Sequence, residues 1–143
     1  MRVDGFCQLE FLQGGVNSFM KDVTILYEDN HIIVAYKPAG MPVQEDESGD
    51  PTMLDQVKWF LKQKYQKPGA VFLGLVHRLD RPVSGVMVFG KTSKGASRLS
   101  EQIRAHSIEK EYHALVHGSL QKSSGTLIHF LKRDANKKKT FVV

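Results

Sequence analysis

Apolar residues along this chain fall into short runs bounded by Gly, Pro, Asn, Asp and Ser, a pattern typical of β-strands. Such runs lie at 23–28, 31–36, 71–76, 86–89, 108–118, 126–131 and 140–143. The first two are joined by Glu28-Asp29-Asn30, which is turn chemistry and predicts a hairpin. The run at 108–118 alternates and is predicted to pair with 126–131 in a second hairpin.

Two further segments carry apolar residues at helical spacing. The first contains Met53, Leu54, Val57, Phe60 and Leu61. It follows Asp50-Pro51, which predicts Asp50 as the N-cap and Pro51 as the first helical residue. The second contains Ala96, Leu99 and Ile103, with Thr92-Ser93 as the predicted cap and its end at 105–107. Hairpins with two packed helices predict an α+β fold with a mixed, largely antiparallel sheet.

The polar segment between the runs at 71–76 and 86–89 concentrates reactive side chains. His77, Arg78, Asp80 and Arg81 lie within five residues and Pro82 follows them. A loop between rigid strands is a common place for functional residues, and the proline restricts its backbone. The competing interpretation is an ordinary solvated salt bridge between Asp80 and its arginines.

The order of motifs resembles one enzyme family. His77-Arg78-Leu79-Asp80-Arg81, followed by Ser84-Gly85 and Lys91, resembles the catalytic signature of the RluA-like RNA pseudouridine synthases. Residues 36–43 resemble that family's lysine-proline-glycine motif, and 109–118 resembles the strand that supplies its active-site tyrosine. The match runs from Val23 to Val143, and agreement of several motifs in order is more specific than any single motif.

The resemblance implies a pseudouridine synthase-like catalytic domain over 23–143, preceded by a leader of uncertain order at 1–22. The family's later arginine-containing motif, which pairs with the catalytic aspartate, finds no match before Val143. We therefore expect the domain to lack its C-terminal part. Two alternatives stay open: a nearby basic residue replaces the missing arginine, or this piece is inactive alone.

The resemblance also implies roles for particular residues. Asp80 is expected to be catalytic, either as a nucleophile at C1′ of the ribose or as a base at C2′. Tyr112 is expected to stack on the target uracil and to help move its proton, although an ordinary strand tyrosine is the alternative. No cofactor is needed, because the leaving group and the attacking group belong to one molecule.

Substrate contacts are expected from Arg78, Arg81, His77 and Lys37. Arg78 is expected to help extrude the target nucleotide. Arg81 is interpreted as a phosphate contact or a surface ion pair, and His77 as a residue that orients the loop or has a purely structural role. Lys37 is interpreted as a phosphate contact or an ordinary surface lysine.

Composition narrows the possible partners. A net charge of +5 and a pI of about 9.4 favour a polyanionic partner, and the family resemblance implies that this partner is ribosomal or transfer RNA. The single Cys7 suits a reducing cytoplasm, and neither a membrane-spanning run nor a secretory leader pattern is found. The histidine spacing does not favour a metal site. A non-catalytic RNA-binding module is the alternative function, and the oligomeric state is left open.

Overall fold

The computed structural model describes residues 23–119, 121–134 and 139–143. The chain divides into two compact units between Glu109 and Lys110. The expected leader at 1–22 lies outside the described residues.

A four-stranded sheet forms the frame of the first unit. Its strands are β1 (Thr24–Glu28), β2 (Ile32–Lys37), β3 (Gly74–Leu75) and β4 (Gly85–Gly90), in the spatial order β1-β2-β4-β3. Every neighbouring pair is antiparallel. The predicted hairpin turn is confirmed, since the carboxylate of Asp29 accepts the backbone N–H groups of His31 and Ile32, each at 2.7 Å.

Alternate residues of the two central strands face the core. Ile33 and Ala35 of β2 and Met87 and Phe89 of β4 are fully buried. The helix α1 (Met53–Lys64) contributes Met53, Val57 and Leu61 to the same apolar cluster. Because side chains alternate along a strand, Lys37 falls on the buried side of β2 together with Ile33 and Ala35.

The start of α1 differs from the prediction. Thr52 is the N-cap: its hydroxyl accepts the N–H of Asp55 at 3.1 Å and donates to the carboxylate of Asp55 at 2.6 Å. The prediction that Asp50 caps this helix is therefore wrong. The carboxylate of Asp50 instead pairs with Arg81, a contact between segments that local sequence rules do not include.

The second helix, α2 (Ser93–Arg104), begins as predicted. Its N-cap is Thr92, whose hydroxyl accepts the N–H of Gly95 at 3.0 Å. Ala96 approaches the sheet so closely that a Cβ on Gly90 would lie 2.5 Å from the Ala96 nitrogen. Glycine at this position permits the close packing of α2 on β4. The α+β class with two helices is confirmed.

The second unit departs from the predicted hairpin. Residues 110–119 and 121–130 contain neither helix nor strand, so the expected pairing of 108–118 with 126–131 is wrong. The hairpin that forms is β5 (Leu131–Asp134) with β6 (Lys139–Val142). Leu115 and Ile128 are both exposed, so the alternation of these two runs is not accompanied by a buried apolar face. The predicted strand at 140–143 agrees with β6, while 135–138 lie outside the described residues.

Candidate functional site

Asp80 lies on the loop 76–84, which joins β3 to β4 and is called the Asp80 loop below. The loop turns tightly at this residue, because the N–H of Val83 donates to the Asp80 carbonyl at 3.0 Å. The Asp80 side chain is exposed. Among the described residues its carboxylate has no hydrogen-bond or ion-pair partner, so it is available to a ligand.

Lys37 supports this loop from inside the molecule. It is fully buried, and its ammonium donates to the carbonyls of Val83 at 2.7 Å, Pro38 at 3.1 Å and Arg81 at 3.2 Å. The structure contradicts the interpretation of Lys37 as a surface lysine. The phosphate contact stays a prediction, and the ammonium is bonded here to backbone carbonyls. The strand alternation of β2 already carried the signal, since residue 37 has the parity of the buried Ile33.

The same lysine brings positive charge towards Asp80. Burial lowers the pKa of Lys37, and the negative charge of Asp80 opposes that shift. The two groups therefore interact electrostatically. Lys37 is consequently a candidate for the nearby basic residue that the sequence left open.

His77 fastens the start of the loop to the sheet. Its Nε2 accepts the backbone N–H of Val88 in β4 at 3.0 Å, and the ring is half-buried. An imidazole nitrogen that accepts this bond carries no proton, so His77 acts here as a neutral acceptor. This geometry favours the interpretation of His77 as a residue that orients the loop.

Arg81 is engaged by the neighbouring segment 40–50. Its Nε donates to the Gly40 carbonyl at 3.0 Å, and its Nη1 donates to Ser48 Oγ at 3.0 Å and to Asp46 at 3.4 Å. Its Nη2 pairs with Asp50. The hydrogen bond to Asp50 raises the pKa of Arg81, and the pKa of Asp50 is lowered in return. Of the two interpretations for Arg81, the ion pair is the one observed.

The remaining candidates are exposed. Arg78 projects from the Asp80 loop and has no partner among the residues described. Tyr112 belongs to the second unit, where 66% of its surface is exposed and the chain around it is not a strand. The Asp80 loop thus unites His77, Arg78, Asp80 and Arg81 over Lys37, whereas the role of Tyr112 stays a prediction.

Comparison with known proteins decides the family. A family model described as RNA pseudouridylate synthase matches residues 31–142, which is most of the chain. The chain belongs to this family. The resemblance found in the sequence motifs is confirmed.

Individual members of the pseudouridylate synthase family are also similar in sequence to this chain. The chain is 40% identical over 108 residues to ribosomal large subunit pseudouridine synthase C of Buchnera aphidicola (subsp. Schizaphis graminum), covering 73% of this chain and 32% of the relative. The Escherichia coli K12 protein of the same name is 39% identical over 97 residues, covering 68% and 28%. The chain thus spans about a third of the length of these curated relatives.

A solved structure supports the fold assignment. Human RNA pseudouridylate synthase domain containing 4 superposes with a TM-score of 0.50 at 30% identity, covering 59% of this chain and 30% of that one. Within the described part of this family member, no helix has the length and apolar character needed to cross a membrane. The same residues contain no group of three or more His, Cys, Asp or Glu side chains arranged to hold a metal ion.

Proposed function

We propose that this protein is an isomerase that converts uridine to pseudouridine in structured RNA, with Asp80 as the reactive carboxylate. One observation carries the proposal: an exposed carboxylate, with no hydrogen bond or ion pair to any described residue, stands on a turn whose backbone is held by a buried lysine. A reacting group must be held in place to act on a bound substrate, and Lys37 holds two carbonyls of the turn that carries Asp80.

The reaction balances without any other reactant. The bond from C1′ of the ribose to N1 of uracil breaks, the base turns, and a new bond joins C1′ to C5. The proton on C5 leaves and N1 gains one, so substrate and product have the same atoms. The protein must therefore hold the base, supply an ionised carboxylate at the sugar and move one proton.

Asp80 can meet the sugar in two ways, and both stay open. As a nucleophile it would attack C1′ and hold the sugar covalently while the base turns. As a base it would remove the C2′ proton and give a glycal intermediate. Either route requires the ionised form of the carboxylate, and the positive charge of Lys37 favours that form when RNA excludes water from the site.

Two exposed residues complete the proposal. Arg78 is proposed to occupy the space that the extruded nucleotide leaves in the RNA, which fits a long cationic side chain that has no partner in the described part of the chain. Tyr112 is proposed to stack on the uracil and to assist proton transfer at C5. Lys37 is proposed to support the loop, because its ammonium is buried and donates to the carbonyls of Arg81 and Val83.

Large-subunit ribosomal RNA is the proposed substrate. The relatives at 39–40% identity are named ribosomal large subunit pseudouridine synthases, and the net charge of +5 suits RNA. Transfer RNA is the substrate to compare. The cytoplasmic location expected from the sequence stays a prediction.

The test uses the protein expressed from its complete reading frame. Unmodified transcripts of large-subunit ribosomal RNA and of transfer RNAs are incubated with wild type and with Asp80→Asn, and pseudouridine is mapped at nucleotide resolution. We expect a modified uridine with wild type and a loss of at least about a thousandfold with Asp80→Asn. Glu101→Gln is the matched control, because it removes an exposed carboxylate of α2.

Three outcomes would count against the proposal. Full activity of Asp80→Asn would remove the catalytic role of Asp80. Pseudouridine in transfer RNA alone would replace the substrate. Salt-sensitive RNA binding without any modified uridine would favour the non-catalytic RNA-binding module instead.

A further inference from the structure

The segment 44–50, called the acidic loop below, is bound to the Asp80 loop at one point. It carries Glu45, Asp46, Glu47 and Asp50 in seven residues. Two of these carboxylates, Asp46 and Asp50, meet the guanidinium of Arg81. Arg81 directly follows the reactive Asp80, so the acidic loop and the reactive carboxylate are joined through a single residue.

The acidic loop has an ordered internal structure. The carboxylate of Asp46 accepts the N–H of Ser48 at 2.9 Å and its hydroxyl at 2.5 Å. Ser48 Oγ in turn accepts the N–H of Asp50 at 3.2 Å. As a result, side-chain oxygens of Asp46, Ser48 and Asp50 all accept hydrogen bonds from the guanidinium of Arg81.

The backbone reinforces the connection in both directions. Gly40 donates its N–H to the Arg81 carbonyl at 2.8 Å and accepts from Arg81 Nε at 3.0 Å. Gly40 has a φ of +86°, a conformation that favours glycine, and this conformation forms the turn that makes the reciprocal pair possible. The Arg81 carbonyl also accepts from Lys37, so residue 81 is held by side chain and backbone together.

Such an arrangement is better suited to position than to stability or RNA binding. Arg81, Asp46 and Asp50 are each between 42% and 48% exposed, and ion pairs at such sites contribute little to the free energy of unfolding. Four of the five guanidinium N–H groups of Arg81 already donate to protein oxygens, so at most one remains for a phosphate. We therefore expect the contacts of the Arg81 guanidinium to matter mainly for the position of Asp80.

We propose that Arg81 is a positioning residue, which clamps the acidic loop to the turn that carries Asp80 and thereby fixes the carboxylate for reaction. This inference rests on the proposed function. It assigns no RNA contact to Arg81. The proposal also gives the acidic loop a role, because Asp50 of that loop pairs with Arg81 in the clamp.

The kinetic test compares Arg81→Ala, Asp50→Ala and the double variant in the complete protein, with large-subunit ribosomal RNA as substrate. We expect each single variant to lower kcat about tenfold with little change in KM, because a displaced reacting group costs rate. The double variant should lose no more than either single one, since both break the same clamp. Arg81→Lys should not restore kcat, because lysine lacks the planar fork.

The matched control is Glu47→Ala. This change removes the same charge from the same loop, but Glu47 has no contact with Arg81 or any other partner among the described residues. Its kcat should equal that of wild type. Any general effect of the loop's negative charge on RNA would appear equally in Glu47→Ala and Asp50→Ala.

A phosphate contact predicts the opposite pattern. Arg81→Ala would then raise KM and reduce the salt dependence of binding by about one ion, and Asp50→Ala would tighten binding. That result would overturn the clamp. So would an Asp50→Ala variant with wild-type kcat.

Hydrogen exchange separates this inference from the proposed function. The Gly40 amide, which is bonded to the Arg81 carbonyl, should exchange faster in Arg81→Ala and in Asp50→Ala than in Glu47→Ala. If wild type makes no pseudouridine, the proposed function fails while this measurement still reports the clamp. Unchanged Gly40 exchange in both variants would overturn the clamp whatever the activity.

Discussion

Each end of the central strand pair β2–β4 carries a charged cluster, and the two clusters differ in whether the carboxylate is bonded to protein donors. At the end where Ile32 pairs with Gly90, Glu28 is saturated: it accepts from Lys91 at 2.5 Å, from Tyr65 at 2.7 Å and from Lys64 at 2.7 Å. Only 8% of its side chain is exposed. Three protein donors and near-complete burial leave this carboxylate little access to a ligand.

At the end where Lys37 pairs with Gly85, the cation is satisfied and the carboxylate is not. Backbone carbonyls accept the hydrogen bonds of the Lys37 ammonium, while the carboxylate of Asp80 has no hydrogen bond or ion pair in the described part of the chain. A carboxylate whose partners are all supplied by the protein stabilises the fold, and one left open can act on something else. Removing each carboxylate in turn should separate the two roles.

The largest difference is expected from neutralising each carboxylate. Glu28→Gln should lower the free energy of unfolding by up to about 3 kcal/mol, because the pKa of Glu28 lies at about 2 instead of its ordinary 4.5. Asp80→Asn should change it by less than about 0.5 kcal/mol. Urea unfolding at pH 7 measures both. Equal destabilisation by the two changes would contradict the comparison.

Acid should reveal the Glu28 cluster in wild type. Burial alone would raise the pKa of Glu28, but the hydrogen bonds from Lys64, Lys91 and Tyr65 outweigh it and lower the pKa to about 2. The lowered pKa means that this stabilisation is complete above about pH 4.5 and is lost as the pH falls towards 2.

The measurement is urea unfolding between pH 6 and pH 2.5, and the loss should be smaller in Glu28→Gln than in wild type. The pH dependence left in the variant comes from Asp29, Asp46 and Asp50, whose pKa values are also lowered by hydrogen bonds. Parallel curves for the two proteins would show that Glu28 is not the group that titrates.

The Lys37 end is expected to lose somewhat less stability when its cation is removed. Lys37→Met keeps the length of the side chain but leaves three carbonyls without their donor, so we expect a loss of about 2 kcal/mol. The desolvation of the ammonium, which lowers the pKa of Lys37, no longer opposes folding in the variant and limits the loss.

Lys62→Met is the control, because Lys62 is an exposed lysine on α1. Urea unfolding of both variants gives the comparison. If Lys37→Met were as stable as Lys62→Met, the buried ammonium would not be what holds the Asp80 loop.

The sequence predicted correctly those features that depend on residues close together in the chain. The strands β2 and β4 alternate because one face of each is buried, and Thr92 caps α2 through a bond to Gly95 only three residues away. Both causes can be read from neighbouring residues. The loop around Asp80 was found for a similar reason, since its motif is continuous in the chain.

The errors share a different origin. Asp50 has the composition of an N-cap, but Arg81 lies 31 residues away and binds it instead. The run around Tyr112 alternates between apolar and polar residues as a strand does, but alternation does not identify the strand with which it would pair. Lys37 could have been recognised as buried from its parity in β2, and the usual exposure of lysine argued against it. Contacts between distant segments decided all three.

His77 offers the smallest and most local test of the Asp80 end. Its Nε2 is the acceptor for the N–H of Val88, a residue of the central strand β4. His77→Phe keeps a ring of similar shape but removes the acceptor, so the Val88 amide is left unpaired at a cost of about 1 kcal/mol.

Hydrogen exchange should locate that loss. The Val88 amide should exchange faster in His77→Phe, while the amides of β1 near Glu28 stay as protected as in wild type. His117→Phe, an exposed histidine of the second unit, is the control for replacing imidazole by a ring without nitrogen. Because the Glu28 cluster lies at the other end of β2–β4, faster exchange at both ends would mean that the sheet opens as one unit. The two clusters would then stabilise the same unit of the sheet. The difference between Glu28, which is bonded to protein donors, and Asp80, which is not, would have no counterpart in local stability.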